Sequence, residues 1–352
     1  MSSLSHISIS GRNIGADYPP YIVAEMSGNH NGKLQTALQF IDMAKRCGAD
    51  AIKIQTYTPD TLTIDCDKEE FRIKGGLWDG YTLYKLYEMA QTPFEWQKEL
   101  FEYSRKKEIT MFSTPFDETA VDLLEDLDVP AYKIASFESI DLPLIRYVAN
   151  TGKPMIISTG MENREEIEET IAAARDGGCK ELILLHCISA YPAPIEQANL
   201  LTIPDMIKRF GVQVGLSDHT LSNIPSIASV ALGATLIEKH VTLDRNDKGP
   251  DSEFSIEPDE LLALCNDTRG AWSALGKAGY EIKPDETQNL VFRRSIYFVK
   301  SLRAGETITR EHIRRIRPGY GLKPKYYDQL IGRTVAKDIE PGQATSWELI
   351  ND

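Results

Sequence analysis

The sequence predicts an α/β chain, a (β/α)8 barrel followed by a small β-rich C-terminal domain, and three observations predict it. Between Tyr21 and Lys239, eight apolar stretches of about five residues alternate with helical segments, the pattern of a parallel sheet with helical crossovers. Eight such repeats in about 250 residues suit a closed barrel. Each stretch ends in polar or charged residues, where barrel chemistry sits. Beyond residues 276–289, which read as a linker around Lys283-Pro284-Asp285, the pattern changes to short β-like stretches and turn signals. The expected division is therefore a barrel domain over 1–275, the linker, and a small domain over 290–352. An open doubly wound sheet is the runner-up, and it lacks the Gly-rich fingerprint that would favour it.

Residues 5–19 read as a leading hairpin or arm. Tyr21–Glu25 is the first strand, and 34–47 has helical spacing closed by Gly48. Ala51–Gln55 is the second strand, with Lys53 and Gln55 on one side. A long excursion, 57–92, follows it. Strands are then expected at 109–113, 131–135, 154–158, 181–186, 212–216 and 235–239. The intervening helices are expected at 94–107, 118–127, 142–151, 164–176 (capped by Asn163), 204–210, 226–232 and 258–275. In the small domain, Ile296–Val299 and Arg333–Ala336 are β-like.

Composition narrows the function. A formal net charge of -13 over 352 residues argues against nonspecific nucleic-acid binding. The five cysteines are odd in number and scattered, with no CxxC. That suits reduced thiols and a cytoplasmic protein, not a disulfide framework or a zinc site. No run of apolar residues is long enough to span a membrane, and the first residues lack the charged and apolar regions of a leader.

The strand ends carry the chemistry. His219 and His240 close two consecutive strands. They could bind one metal ion through neutral imidazoles or be ordinary hydrogen-bonded strand-end residues. Lys53 and Lys133, with Thr114, Ser136, Ser158 and Ser217 in the same ring, form a phosphate and carboxylate cradle or a set of salt-bridged lysines. Glu25, Glu138 and Asp251 could orient hydroxyls or move protons, or be paired structural carboxylates. His186 also falls at a strand end, and Cys187 beside it reads as a buried small hydrophobe. Trp78 and Tyr81 lie in the long excursion, where ligands are met.

The stretches Ala24-Glu-Met-Ser-Gly-Asn-His-Asn-Gly32, Ile52-Lys-Ile-Gln55, Phe112-Ser-Thr-Pro-Phe116, Ala131-Tyr-Lys-Ile-Ala-Ser136, Ser158-Thr-Gly-Met161, Leu185-His-Cys187, Gly215-Leu-Ser-Asp-His-Thr220 and Glu238-Lys-His240 resemble the sialic acid synthase family, in order through essentially the whole chain. Ile316-Arg-Pro-Gly319 and Leu330-Ile-Gly-Arg333 resemble that family's antifreeze-like (SAF) domain. The resemblance implies an enzyme that joins phosphoenolpyruvate to an N-acylated amino sugar, giving a nine-carbon 2-keto acid and phosphate. It also implies a divalent metal, Mn²⁺ or Mg²⁺, and a domain-swapped homodimer. By matching position, His219 and His240 would hold the metal. Lys53, Thr114, Lys133, Ser136, Ser158, Ser189 and Ser217 would hold phosphoenolpyruvate. Glu25, Gln55, Tyr191 and Asp251 would contact the sugar, Glu138 would move the proton of the attacking water, and Arg317 would reach in from the partner subunit. Ser189 departs from the asparagine of N-acetylneuraminate synthases.

Gly76-Leu-Trp-Asp-Gly-Tyr-Thr-Leu-Tyr-Lys-Leu-Tyr87, Thr92-Pro-Phe-Glu-Trp96 and Ile313-Arg-Arg-Ile-Arg-Pro-Gly-Tyr-Gly-Leu322 resemble the pseudaminic acid branch of the family. The acceptor this implies is 2,4-diacetamido-2,4,6-trideoxy-altropyranose, with the Trp78 indole against its deoxygenated side. The alternatives are N-acetylneuraminic or legionaminic acid synthesis, and, more remotely, a non-catalytic sugar-binding barrel or a phosphosugar aldolase or isomerase.

Overall fold

The computed structural model describes residues 4–351. The chain divides into two compact units, Met1–Gly276 and Lys277–Asp352. In the first, strands β1 (Ile7–Ile9) and β2 (Arg12–Ile14) form an antiparallel hairpin. Its two-residue turn, Ser10-Gly11, has positive φ at both positions, as the twist of a tight hairpin requires.

Eight parallel strands then close into a barrel: β3 (Tyr21–Glu25), β4 (Ala51–Thr56), β5 (Thr110–Pro115), β6 (Tyr132–Ile134), β7 (Met155–Ser158), β8 (Leu182–Cys187), β9 (Gln213–Asp218) and β10 (Leu236–His240). They follow chain order around the ring, and β10 pairs with β3 to close it. The strands alternate between two cores. Outward residues such as Ile22, Ala24, Ile52, Ile54, Ile134, Ile157, Leu184 and Ile237 pack under the helices. Inward residues Tyr21, Val23, Ala51, Phe112, Ala131, Ile156, Ile183, Leu185 and Leu236 form a second cluster. Ile7, Ile9 and Ile14 of the hairpin belong to this inner cluster and fill the amino-terminal end of the barrel.

Helix boundaries follow local chemistry. The Asp117 carboxylate accepts from the Thr119 and Ala120 amides at the start of 118–126, and Asn163 with Glu166 makes a reciprocal capping box for 164–176. Helix Leu34–Cys47 stops at Gly48, whose φ of 83° is left-handed. The 57–92 excursion contains helix Leu83–Ala90, capped by the Thr82 hydroxyl. Among the described residues, no helix is long and apolar enough to cross a membrane.

The second unit holds an antiparallel pair, β11 (Ser295–Phe298) and β12 (Ile313–Ile316), around a core of Ile296, Phe298, Leu302, Ile308, Ile313, Leu330 and Val335. The strand expected at 333–336 is not one. Thr334 and Val335 make only single bridges, to Thr307 and Ile350, because this compact unit turns too often to extend a ladder there. Residues 276–289 are exposed throughout, and a 3-10 helix runs over Pro284–Phe292.

Candidate active site

The two-residue period of a strand decides which strand-end groups meet. Counting inward from Tyr21, Ala51, Phe112, Ala131, Ile156, Ile183, Gly215 and Leu236 brings Glu25, Lys53, Gln55, Thr114, Lys133, Ser158, Cys187, Ser217, Glu238 and His240 to the carboxyl-terminal mouth. Register puts Glu25 beside Lys53, Gln55 beside Thr114, and Glu238 beside Ser217. His186 falls on the opposite parity, so its place among the mouth residues is corrected. Its ring faces outward, with Nε2 2.7 Å from the Ala198 carbonyl, and burial lowers its pKa.

A chain of alternating charges crosses the mouth. Lys53 Nζ lies 2.7 Å from Glu25 Oε2 and 3.7 Å from Glu238 Oε1; Lys133 Nζ lies 3.3 Å from that same Glu238 oxygen. Lys53 also donates to the Thr114 hydroxyl at 3.0 Å. The lysines respond differently. Burial works against both ammonium groups, but Glu238 and Glu25 outweigh it at Lys53 and raise its pKa. Lys133 has one shared carboxylate, and its pKa is lowered. Burial alone would raise the Glu238 carboxyl; Lys133 and then Lys53 outweigh it and hold it ionised. Glu25 uses both oxygens, Oε2 in the ion pair with Lys53 and Oε1 as acceptor of the Ser27 amide and the Gln55 amide nitrogen.

Beside Lys133 lies a hydroxyl cluster. Ser136 and Ser189 share a 2.7 Å hydrogen bond, and the buried Ser158 hydroxyl has no partner. Gly160 is required there, because a Cβ would fall 2.1 Å from Ser189 Oγ and 2.6 Å from Cys187 Sγ. The Cys187 thiol is buried and its pKa is raised by that burial, so it behaves as the small hydrophobe expected. Burial pushes Glu138 up to about 7, and its Oε2 has no partner.

His219 and His240 stand with ring centroids 5.4 Å apart. The Nδ1 of His219 lies 2.9 Å from the Ile188 carbonyl. Donation to that acceptor leaves Nε2 with a free lone pair. Burial, then His240, pushes His219 down to about 4, so the imidazole is neutral at neutral pH. Nδ1 of His240 is buried without a hydrogen-bond partner, 3.5 Å from Asp251 Oδ2. Two adjacent imidazoles, one with its Nε2 lone pair free and one with a buried Nδ1 that has no hydrogen-bond partner, fit a divalent cation bound in an open site at this polar mouth. Among the described residues, no group of three or more His, Cys, Asp or Glu side chains is arranged as a closed metal site.

A cavity of about 390 Å³ opens above these groups. Lys53, Gln55, Lys133, Ser136, Glu138, Ser158, Ser217, His219, His240 and Asp251 line one side; Glu25, Thr114 and Ser189 sit one hydrogen bond behind. The other side is apolar, built by Tyr57, Leu62, Ile73, Trp78, Leu86, Tyr87 and Phe116. Tyr191 spans the two, its ring 4.6 Å from His219 and 5.7 Å from Trp78. The Trp78 indole donates to the Pro250 carbonyl at 2.8 Å, which ties the excursion to the turn carrying Asp251. Arg317 lies in the second unit, exposed just past β12. Sequence reasoning assigned no role to Glu238, Ser27, Tyr57 or Tyr87. For Glu238 the signal was available, two residues before His240 on the same strand face. Ser27 binds Asp251 Oδ2 at 2.5 Å across 224 residues of chain, and no local pattern marks that.

This closed parallel barrel, with its charged and hydroxyl groups gathered at the strand carboxyl ends, is a (β/α)8 protein with a polar, enclosed mouth. The chain belongs to the NeuB family, whose model matches residues 40–280; a SAF domain matches residues 293–350. It is 45% identical over 332 residues to the pseudaminic acid synthase of Campylobacter jejuni subsp. jejuni, spanning 94% of this chain and 97% of that protein. It is 42% identical over 323 residues to the pseudaminic acid synthase of Helicobacter pylori, spanning 92% and 95%. Among solved structures it is similar to the N-acetylneuraminic acid synthetase of Leptospira borgpetersenii in complex with citrate. That match has a TM-score of 0.73 and 32% identity, and covers 82% of this chain and 96% of that one.

Proposed function

We propose that the chain is a pseudaminic acid synthase, a transferase condensing phosphoenolpyruvate with 2,4-diacetamido-2,4,6-trideoxy-altropyranose to give pseudaminic acid and phosphate. The observation that carries this reading is the similarity along 94% of the chain to a protein of that name. The cavity supports it. Lys53, Lys133 and the serine hydroxyls suit the anionic groups of phosphoenolpyruvate. The apolar wall around Trp78 suits an acceptor with a methyl at C6, where other sugars carry a hydroxyl that would be left unpaired there.

In this reading, His219 and His240 hold Mn²⁺ or Mg²⁺. Such an ion, when bound, supplies Lewis-acid polarisation of the acceptor's aldehyde oxygen. Lys53 and Lys133 fix phosphoenolpyruvate so that its C3 bonds to the aldehyde carbon. The aldehyde π electrons move to its oxygen, which takes a proton to become a hydroxyl. Water adds at the electron-poor C2 and gives one proton to Glu138. As the bond from C2 to the phosphate oxygen breaks, the new C2 hydroxyl loses its remaining proton, leaving the keto group and phosphate. Gln55, Tyr191 and Asp251 orient the sugar. The test is product mass spectrometry with phosphoenolpyruvate, Mn²⁺ and a panel of amino sugars. The altro acceptor is expected to give the highest kcat/KM; preference for N-acetylmannosamine or for the legionaminic acid precursor would reassign the acceptor.

The working form proposed is a domain-swapped homodimer, with Arg317 reaching the partner's mouth. Exposed Phe137, Ile140, Met161, Leu201 and Leu221, on loops following β6 to β9, with Ile224 at the start of the next helix, support an interface on that face. The exposed 276–289 stretch supports exchange of the small unit. Mixing Arg317→Ala with His219→Ala subunits, each inactive alone, is expected to restore activity; no recovery despite subunit exchange would place Arg317 in its own chain's site. The five cysteines are all free, which supports a reducing compartment such as the cytoplasm.

A further inference from the structure

The outward positions of the barrel strands are apolar or neutral with one exception. Asp218 and Lys239 are the only Asp, Glu, Lys or Arg side chains among the described outward strand positions. They are cross-strand neighbours in register, 3% and 1% exposed, with Lys239 Nζ 2.8 Å from Asp218 Oδ2. Each immediately precedes one of the two mouth histidines. A buried ion pair is no more stabilising than a well-packed apolar pair in the same space, so packing alone does not account for it.

The hydrogen bonds show what the pair holds. Lys239 Nζ donates to the Thr220 carbonyl at 2.7 Å and the Ser222 carbonyl at 3.1 Å, so with Asp218 all three ammonium protons are used. Asp218 accepts the Thr220 amide at 2.9 Å through Oδ1 and the Ser226 hydroxyl at 2.6 Å through Oδ2. Thr220, the residue after His219, is thus gripped at both its N–H and its C=O. The His219 carbonyl is itself taken by the Ala193 amide at 2.9 Å. The end of β9 is therefore clamped to β10 one residue before His240.

We infer that Asp218 and Lys239 are positioning residues that set the separation and orientation of His219 and His240 for a divalent cation. The inference rests on the reading of those histidines as metal ligands. Partners behind metal ligands commonly change metal affinity by about 10–100-fold.

The test is Mn²⁺ binding to the metal-free full chain, with no substrate, followed by the electron paramagnetic resonance of free Mn²⁺. Wild type is expected to bind and His219→Ala not to. Equal binding by those two would overturn the metal reading and the inference with it. The decisive variant is the double Asp218→Asn, Lys239→Met. It leaves net charge unchanged and removes the buried pair whole, so its melting temperature should exceed that of Lys239→Met alone. Its Mn²⁺ dissociation constant should nevertheless stay about tenfold or more above wild type, because the grip on the Thr220 and Ser222 carbonyls is gone. Wild-type affinity in the double variant would make the pair structural only and overturn the proposal. If the double variant does not fold, Lys239→Met alone decides, since it frees both carbonyls while its extra negative charge favours a cation: weakened Mn²⁺ binding supports the clamp, and wild-type or tighter binding overturns it.

Discussion

Two populations of inward-facing side chains share the same eight strands. At the amino-terminal end, Tyr21, Ile156, Ile183 and Leu236 pack with the hairpin residues Ile7, Ile9 and Ile14 into a sealed apolar plug. At the carboxyl-terminal end, one or two pleats further on, the same faces present Glu25, Lys53, Lys133, Glu238 and His240, all buried. The plug is stabilising on its own, each side chain contributing about 1.5–3 kcal/mol by leaving water. The mouth is costly, because each buried charge must be matched. One end of the barrel holds the fold so that the other can hold charges in place, and substitutions at the two ends should fail in different ways.

The largest effect is expected at the mouth. His219→Ala should abolish metal-dependent turnover while the melting temperature stays near wild type; activity that survives both the substitution and exhaustive chelation would break the comparison. At the plug, Leu236→Ala should cost about 2–5 kcal/mol of stability, read by denaturant unfolding, with KM for phosphoenolpyruvate unchanged. A rise in that KM without loss of stability would mean the two ends are not separate.

Glu138 sharpens the comparison, because it belongs to the mouth yet costs stability. Burial raises its folded pKa to about 7 from an ordinary 4.5. A raised carboxyl contributes stability that is fully present below pH 4.5 and lost as pH rises through 7. Glu138→Gln should therefore match wild type in acid and exceed it by about 3 kcal/mol above pH 7. It should also lose turnover and the rise in kcat through about pH 7 that ionisation of a proton acceptor gives in wild type. Equal stability at all pH values would show that the carboxyl is solvated.

The smallest effect concerns the apolar wall. Trp78→Asn should raise KM for the 6-deoxy acceptor more than for phosphoenolpyruvate, by an amount worth about 1 kcal/mol. Trp78→Phe keeps a ring but loses the bond to Pro250, so it separates the wall from the tie to the Asp251 turn. Equal effects on both substrates would assign Trp78 to loop packing alone.

Much of the barrel was legible in the sequence because parallel strands and their covering helices each impose a clear period. The mouth was legible where a strand ended in a functional group on the inward parity, as at Lys53, Lys133 and His240. Parity also explains the misreading of His186, which sits one residue out of phase and faces the helices. Glu238 was visible but unassigned, since its value lies in Lys53 and Lys133 approaching one oxygen from different strands. The tie between Trp78 and Pro250 spans 172 residues, and only folding creates it. The β-like stretch at 333–336 has the composition of a strand but only single-bridge partners.

The central claim is that this mouth adds water at C2 of phosphoenolpyruvate after C3 has bonded to the sugar. It is tested most directly with phosphoenolpyruvate carrying ¹⁸O in the oxygen that bridges C2 and phosphorus, turned over with the altro acceptor and Mn²⁺. If C2 is hydrated and its bond to that oxygen breaks, all the label appears in released phosphate. Phosphate free of label would mean that the phosphorus–oxygen bond breaks instead, and would contradict the assigned roles of Glu138 and the lysine cradle.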